Sequence, residues 1–345
     1  MGKLFFRVER FQITPLPAPE FRKDPIVDRW VVLSTERLGR PQEVCESMPA
    51  SPLSICPFCA GNEHLTPPPW LVLPNSNNWQ VRIVPNTFPA VRGPSPFSPE
   101  TDGLLSGGPA AGLHDVVIEC PKHEANLARL PAEHVAVLFR ALAERFRQVR
   151  AGRPDLYPFW FTNHGAASGA SLEHAHSQLI GLPWMPELVR QEFDSALRYW
   201  EANHGCVFCD LIKQERGDGR RILFETDRFM AMAPYASRFP CEVWILPANH
   251  GSHFERASEE EIAELGKAYH RVLRMLDIGL DDPPFNALIH TSPLDSPELS
   301  HYHWHLEILP RLTGLAGFEC GAGMNINPVP PEQAAAYLRG LDHRR

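Results

Sequence analysis

The sequence predicts an α+β protein made of two tandem modules, each an antiparallel sheet with flanking helices. Three observations carry that reading. One order of motifs occurs twice, each half holds one long amphipathic helix, and each half closes on a histidine-rich, strand-like segment. A length of 345 residues suits two domains rather than one core. We place them at residues 1–195 and 196–345, with a bridging helix predicted over 186–202.

The repeated elements run in order. Each half opens on a cysteine knuckle, Cys56-Pro57-Phe58-Cys59 and then Cys206-Val207-Phe208-Cys209. A strand-like stretch follows, ending at Cys120-Pro121-Lys122-His123 in the first half and at Leu246-Pro247-Ala248-Asn249-His250 in the second. The first long helix starts near Pro131, a favoured first helical residue, and Val135, Leu138, Phe139, Leu142, Phe146 and Val149 recur at helical spacing. The second starts at Ser258, with Glu261 three residues on as a capping box, and buries Ile262, Leu265, Tyr269, Val272 and Leu276. An apolar strand comes next, Phe159 to Thr162 and then Phe285 to Ile289. The halves close on His174-Ala175-His176-Ser177-Gln178 and His303-Trp304-His305-Leu306-Glu307.

Composition narrows the function. Net charge is −8 with no dense Lys/Arg run, which argues against a nucleic-acid partner. The N-terminus reaches Arg7 and Glu9 too soon for a signal peptide, and no apolar run is long enough to span a membrane. The expected location is the cytoplasm, where disulfides are rare. The 35 prolines suit long, stiff surface loops.

Of the eight cysteines, Cys45, Cys120, Cys241 and Cys320 are isolated and read as small apolar residues. The other four form the two Cys-x-x-Cys pairs. A redox reading would want a βαβ setting and a helix start, which neither pair signals in sequence. Matching positions in a repeat favour structural zinc instead, held in a closed tetrahedron of thiolates and imidazoles. Cys56 and Cys59 would be joined by His123 and by one histidine of the His174/His176 pair. Cys206 and Cys209 would be joined by His250 and by one of His301, His303 or His305. The pattern His-x-His-x-Gln/Glu matches His303 to His174; matching through the downstream prolines gives His301. We prefer His303.

In a strand, residues two apart share a face. His174, His176 and Gln178 therefore point one way, with Ala175 and Ser177 on the other. Such a face suits chemistry on a phosphate. One histidine anchors the segment, the next attacks phosphorus as a neutral imidazole, and the third position donates a hydrogen bond to a phosphate oxygen. Upstream, Asn163-His164-Gly165-Ala166-Ala167-Ser168-Gly169-Ala170-Ser171 lets the backbone approach a phosphate closely, and Ser171 adds a hydroxyl. The second half lacks such a loop and reads as scaffold.

With these residues the sequence resembles the galactose-1-phosphate uridylyltransferase family, within the histidine-triad superfamily. The resemblance also covers Asp24-Pro25, Arg29-Trp30-Val31, Arg37 with Arg40-Pro41, Asn86 with Phe88, His114-Asp115-Val116-Val117-Ile118-Glu119, Gly317-Phe318-Glu319 and Ile326-Asn327-Pro328. It implies two tandem histidine-triad-like modules, a homodimer, and a double displacement in which His176 takes a uridylyl group from UDP-glucose and passes it to galactose 1-phosphate. It further implies that Arg37, Arg40, Asn86 and Phe88 hold the nucleotide, that Asn163, Gly169, Ser171 and Gln178 hold the phosphates, and that Glu319 contacts sugar hydroxyls. Zinc would sit on Cys56, Cys59, His123 and His174.

Gln178 stands where related hydrolases tend to carry histidine. A neutral amide suits transfer between sugar phosphates, since a phosphate leaves without strong acid. Ala175 stands in place of the family's usual proline, and the loop 313–318 lacks the lysine and tyrosine typical of well-studied uridylyltransferases. The second half carries a full Cys/Cys/His/His set rather than the carboxylate and histidines that bind a second metal, zinc or iron, in some members. These features, with Phe318 and His290-Thr291-Ser292-Pro293, resemble the ADP-glucose phosphorylase branch, which transfers adenylyl to phosphate. Two further readings compete: a nucleotide hydrolase of the same superfamily, against which Gln178 argues, and a zinc-ribbon nucleic-acid binder, whose basic surface is missing.

Overall fold

A computed structural model describes residues 14, 18–27, 29–35, 55–93, 98–124 and 126–342 of the protein. Strands β1 (Glu20–Lys23) and β2 (Trp30–Leu33) pair antiparallel, and β15 (Asn325–Asn327) joins β2 in parallel to make a small sheet. The first half contributes β3 (Leu71–Leu73), β4 (Val81–Pro85), β7 (Leu113–Ile118), β8 (Tyr157–His164) and β9 (His176–Leu182) to a large sheet. The second half contributes β10 (Ile222–Glu225), β11 (Phe229–Met232), β12 (Val243–Pro247), β13 (Phe285–His290) and β14 (His305–Pro310). A separate hairpin holds β5 (Glu100–Asp102) and β6 (Leu105–Gly107).

The large sheet is ten strands wide, in the order β10-β11-β12-β14-β13-β8-β9-β7-β4-β3. Read inward from either edge, each half places its first three strands, then its fifth, then its fourth. The repeat is therefore a pseudo-twofold whose seam is the antiparallel pair β13–β8, with Phe285 opposite His164 and Ile289 opposite Trp160.

Two long helices cover one face of this sheet. Helix α1 spans Ala132–Gly152 and α4 spans Glu259–Leu280. Their apolar stripes join Val117, Trp160, Leu179, Ile245 and Leu306 in one core. Gly266 of α4 lies so close to α1 that a Cβ there would come within 2.5 Å of the Ala136 Cα. The absence of a side chain is what lets the two helices cross at the pseudo-twofold.

Helix α2 (Glu187–Asn203) bridges the halves, close to the span expected for it. Helices α3 (Val207–Asp218), α5 (Gly317–Ala322) and α6 (Pro331–Arg339) lie in the second half. The capping box at Ser258 is present: its Oγ accepts from the Glu261 N–H at 3.2 Å, and the Glu261 carboxylate accepts from the Ser258 N–H at 2.8 Å. Pro131 caps α1 from outside rather than forming its first residue, its extended ψ of 144° lying outside the helical range. No described helix is long and apolar enough to cross a membrane.

Two expectations need correction. Strand β9 starts at His176 and β14 at His305, so His174, Ala175, His303 and Trp304 precede their strands. The backbone there is still tied: the Ala175 N–H donates to the Glu124 carbonyl at 2.8 Å, and its own carbonyl accepts from the Glu119 N–H at 3.2 Å. The second correction concerns Cys206, which caps the N-terminus of α3, so that pair does sit at a helix start.

Candidate active site and metal centres

Alternation along β9 sets up the site. Ser177, Leu179 and Gly181 are buried toward the helices, whereas His176, Gln178 and Ile180 are half-buried on the other face. Register carries this face across three neighbours. Gln178 lies opposite Val116 on β7 and opposite Phe161 on β8. One step beyond the pair Thr162–Ser177, Asn163 comes level with His176. His114 shares the face from β7, and the Asn86 N–H donates to the His114 carbonyl at 2.8 Å. Asn86, just past β4, thus joins His114, Gln178, His176 and Asn163 of three adjacent strands on one face.

The His176 ring is held on two sides. Its Nδ1–H donates to the His174 carbonyl at 2.8 Å, which leaves the lone pair on Nε2. Phe58, from the cysteine knuckle, packs on the ring with centroids 5.3 Å apart. Burial pushes the imidazole below its ordinary value, so the ring is neutral and nucleophilic at neutral pH. The backbone thus fixes the tautomer of this imidazole, with a bare Nε2.

The neighbouring amides are also oriented. Gln178 Oε1 lies 2.7 Å from His114 Nε2. Asn163 Oδ1 accepts from Asn286 Nδ2 at 2.7 Å, a bond from the second half. In the loop after β8, Ser168 Oγ donates to the His164 carbonyl at 2.6 Å, and Gly169 adopts a left-handed φ of 94°. His164 anchors the base of the loop: its ring stacks on Phe285, and its Nε2 lies 2.7 Å from Asp282 Oδ1. Gly169 and Ser171 are exposed.

The other expected contacts divide. Phe88 is 87% exposed beside the site, and its N–H donates to Asn86 Oδ1 at 2.8 Å. Glu319 lies in α5, where its carboxylate accepts from the Ala316 N–H at 3.0 Å and so caps its own helix. Arg37 and Arg40 lie outside the described residues.

Both cysteine knuckles close into four-residue groups able to hold a metal: Cys56, Cys59, His123 and His174, then Cys206, Cys209, His250 and His303. In the first, Cys56 Sγ lies 3.5 Å from His174 Nδ1, and Cys59 Sγ lies 3.5 Å from His123 Nδ1 and 3.6 Å from His174 Nδ1. In the second, Cys209 Sγ lies 3.4 Å from His250 Nδ1 and 3.6 Å from His303 Nδ1. With metal–sulfur bonds of about 2.3 Å and metal–nitrogen bonds of about 2.0–2.1 Å, a tetrahedron puts sulfur and nitrogen about 3.5 Å apart. The donor set and its spacing therefore fit a tetrahedral ion.

Carbonyls set the histidine tautomers for that task. Nε2–H of His174 donates to Cys120 (2.8 Å), of His250 to Leu299 (3.0 Å) and of His303 to Pro247 (3.1 Å), leaving each Nδ1 bare toward the thiols. Burial pushes His174 down to about 4, so it stays neutral. Cys206 is held toward its thiolate, chiefly by the hydrogen bond from Cys209. His301 is not one of the four and packs edge-on against Phe193.

A further buried group was not expected from the sequence. Glu192, His290, His305 and Glu307 place their ligand atoms within 4.8 Å of one another. The sequence signal was available in His303-x-His305-x-Glu307, but Glu192 sits on the bridging helix and no spacing rule links it. Arg238 already engages this group, donating to Glu307 at 2.5 Å. A carboxylate–histidine group thus stands beside the cysteine set of the second half, not in place of it.

Comparison with known proteins identifies the family and the fold. Residues 12–186 match the family model described as galactose-1-phosphate uridyl transferase, N-terminal domain, and residues 127–340 match a domain of unknown function, DUF4921. The chain is 36% identical over 331 residues to an ADP-glucose phosphorylase of Arabidopsis thaliana, covering 93% of each chain. It is 29% identical to a galactose-1-phosphate uridylyltransferase of Thermotoga maritima, covering 93% of this chain and 98% of the relative. Among solved structures it superposes on the Arabidopsis ADP-glucose phosphorylase with bound ADP-glucose at a TM-score of 0.80 and 34% identity, covering 93% of this chain and 99% of that one.

Proposed function

The chain belongs to the galactose-1-phosphate uridyl transferase family, and from that premise we propose that it transfers a nucleotidyl group between phosphates by a double displacement on His176. The nucleotidyltransferase class follows from the family itself. The observation that carries the mechanism is the Nδ1–H bond of His176 to the His174 carbonyl, which puts the lone pair on Nε2.

In the first step Nε2 forms a bond to the α-phosphorus of the nucleotide sugar. The bond from that phosphorus to the bridging oxygen breaks, and hexose 1-phosphate leaves with the electron pair. The Nδ1 proton stays with the imidazole, hydrogen-bonded to the carbonyl, and offsets the charge of the adduct. In the second step a phosphate oxygen of the acceptor attacks the same phosphorus and the P–N bond breaks. Gln178 and Asn163 donate amide hydrogens to the non-bridging oxygens as charge builds there. Gly169 and Ser171 line the phosphate loop, Asn86, Phe88, Arg37 and Arg40 hold the nucleotide, and Glu319 takes the sugar hydroxyls. Neither step needs a strong acid, which suits glutamine at position 178.

The first reading of the substrates is UDP-glucose with galactose 1-phosphate, following the matched family and its uridylyltransferase members. A second reading, ADP-glucose with inorganic phosphate, is favoured by the 36% identity to the phosphorylase. α-Phosphorus-labelled UDP-glucose and ADP-glucose, each offered galactose 1-phosphate or inorganic phosphate, separate them. Label passing from UDP-glucose to galactose 1-phosphate supports the first reading; exclusive use of ADP-glucose with phosphate supports the second. Steady release of free UMP or AMP would make the protein a hydrolase. His176→Gly should take no label, and full labelling of that variant would overturn the mechanism.

Zinc is the metal assigned to both Cys₂His₂ groups, where four protein ligands complete the tetrahedron and leave no position for substrate. Its role is to hold His174, and with it the start of β9, in place. A homodimer in the cytoplasm completes the reading. Sedimentation equilibrium tests the dimer.

A further inference from the structure

We propose that His114 is a positioning residue that fixes the amide of Gln178 with its oxygen turned away from, and its NH₂ group turned toward, the reacting phosphate. This rests on the reading of Gln178 as a phosphate donor and explains how that donor is kept in the right sense.

A glutamine amide has two ends of nearly equal shape and opposite hydrogen-bonding character. One end stabilises a phosphate oxygen; the other repels it. Only the surrounding network selects between them. Here the selection starts at the backbone. The Ala90 N–H donates to His114 Nδ1 at 3.0 Å. A backbone N–H can only donate, so Nδ1 is bare, and a neutral ring then carries its proton on Nε2. That nitrogen lies 2.7 Å from Gln178, a distance at which the amide must present its oxygen. Both Gln178 amide hydrogens are thereby left for another acceptor.

Asn86 closes the alternatives. Its Oδ1 accepts from the Phe88 N–H at 2.8 Å, which places Nδ2 on the side of His114, 3.1 Å from Nε2. Two nitrogens that both carry hydrogens cannot bond to each other, so this contact does not compete with Gln178. The sense of both amides therefore descends from two backbone donors, Phe88 and Ala90, in the turn after β4. Asp115, the next residue of β7, holds that strand from behind, accepting from Arg145 Nε at 2.9 Å and from Trp70 Nε1 at 3.0 Å.

Without His114, Gln178 would have to be ordered and turned by the substrate itself. Ordering a free glutamine side chain at the reacting phosphate should cost about tenfold in rate. The test measures the single-turnover rate of nucleotidyl-enzyme formation from α-phosphorus-labelled UDP-glucose and ADP-glucose, together with the Kd of each. His114→Leu should lower the rate about tenfold, with Kd changed by less than about twofold. In a Gln178→Ala background the same change should be silent. His114→Gln, which can return an N–H to the Nε2 position, should keep at least about a third of the wild-type rate, and it serves as the test if His114→Leu fails to fold.

An equal loss in both backgrounds would show a merely structural role and overturn the proposal, as would no loss at all or a His114→Gln variant as slow as His114→Leu. If Gln178→Ala alone leaves the rate unchanged, the donor reading of Gln178 falls and this inference with it. If neither sugar nucleotide labels the wild-type protein, the nucleotidyl-histidine reading itself is overturned, and the inference with it.

Discussion

Asn286, on a strand of the second repeat, donates from Nδ2 to the Oδ1 of Asn163, on the facing strand of the first, at 2.7 Å. It also donates to the Ser168 carbonyl at 3.0 Å. One side chain of the second half thus orients both the amide and the loop that we propose meet the phosphate. Asn286→Ala should lower kcat about tenfold while costing only about 1 kcal/mol of stability, the net worth of an ordinary hydrogen bond. Steady-state kinetics beside urea unfolding checks this. A stability loss with full kcat would mean that the second half does not orient the site.

The two cysteine sites should separate in function. Cys56→Ser and Cys206→Ser should each reduce bound zinc from two ions to one per chain, read by elemental analysis, with a stability loss of several kcal/mol. Only the first should also slow nucleotidylation strongly, because Phe58 of that knuckle packs on the His176 ring. Unchanged metal content in either variant would reject the corresponding site.

Glu119 gives the protein a pH signature. Its carboxyl is buried, Oε1 has no hydrogen-bond partner, and burial pushes it from 4.5 up to about 7. The folded state therefore holds a proton that the unfolded chain releases. The resulting stability is fully present below about pH 4.5 and is lost as pH rises through about 7. Glu119→Gln keeps the shape and removes the charge, so it should stabilise by roughly 1–3 kcal/mol at about pH 8 and by much less at about pH 5. Urea midpoints across that range test it; a gain independent of pH would contradict it.

Gly266→Ala tests the helix crossing. Alanine raises helix propensity by about 1 kcal/mol. Against this, its Cβ meets Ala136 Cα at 2.5 Å, Ala136 N at 2.8 Å and the Val135 carbonyl at 2.9 Å, all backbone atoms that cannot rotate aside. Overpacking of this kind costs about 1–3 kcal/mol. The clash should win, lowering the thermal midpoint, and Gly266→Val should lower it further. A stabilised alanine variant would show that the helices have room to part.

Much of this was legible in the sequence because it is periodic or repeated. The apolar stripe from Val135 to Val149, the Ser258–Glu261 cap and the paired cysteine knuckles depend on spacing alone. The ligand groups are recoverable because a repeat supplies each with a template. What escaped depends on contacts between distant segments. His114 reads as one residue in a strand motif, and only the register of β7 against β9 brings it to Gln178. Glu192 reads as one charge on an amphipathic helix, and only the fold buries it beside His290, where its Oε2 lies 3.1 Å from Nδ1. Cys206 was read as no helix start because its position is set by the chain leaving α2, not by a capping side chain.

The seam between β13 and β8 has a consequence for how such a protein can be handled or inherited. Joined, the two strands are interior; parted, each becomes the naked margin of a five-stranded half, with its donors and acceptors open to any passing strand. A fragment ending after residue 195 would therefore be sticky rather than merely inactive. The repeat makes the chain divisible on paper, but the hydrogen-bond ladder across the seam keeps it a single unit.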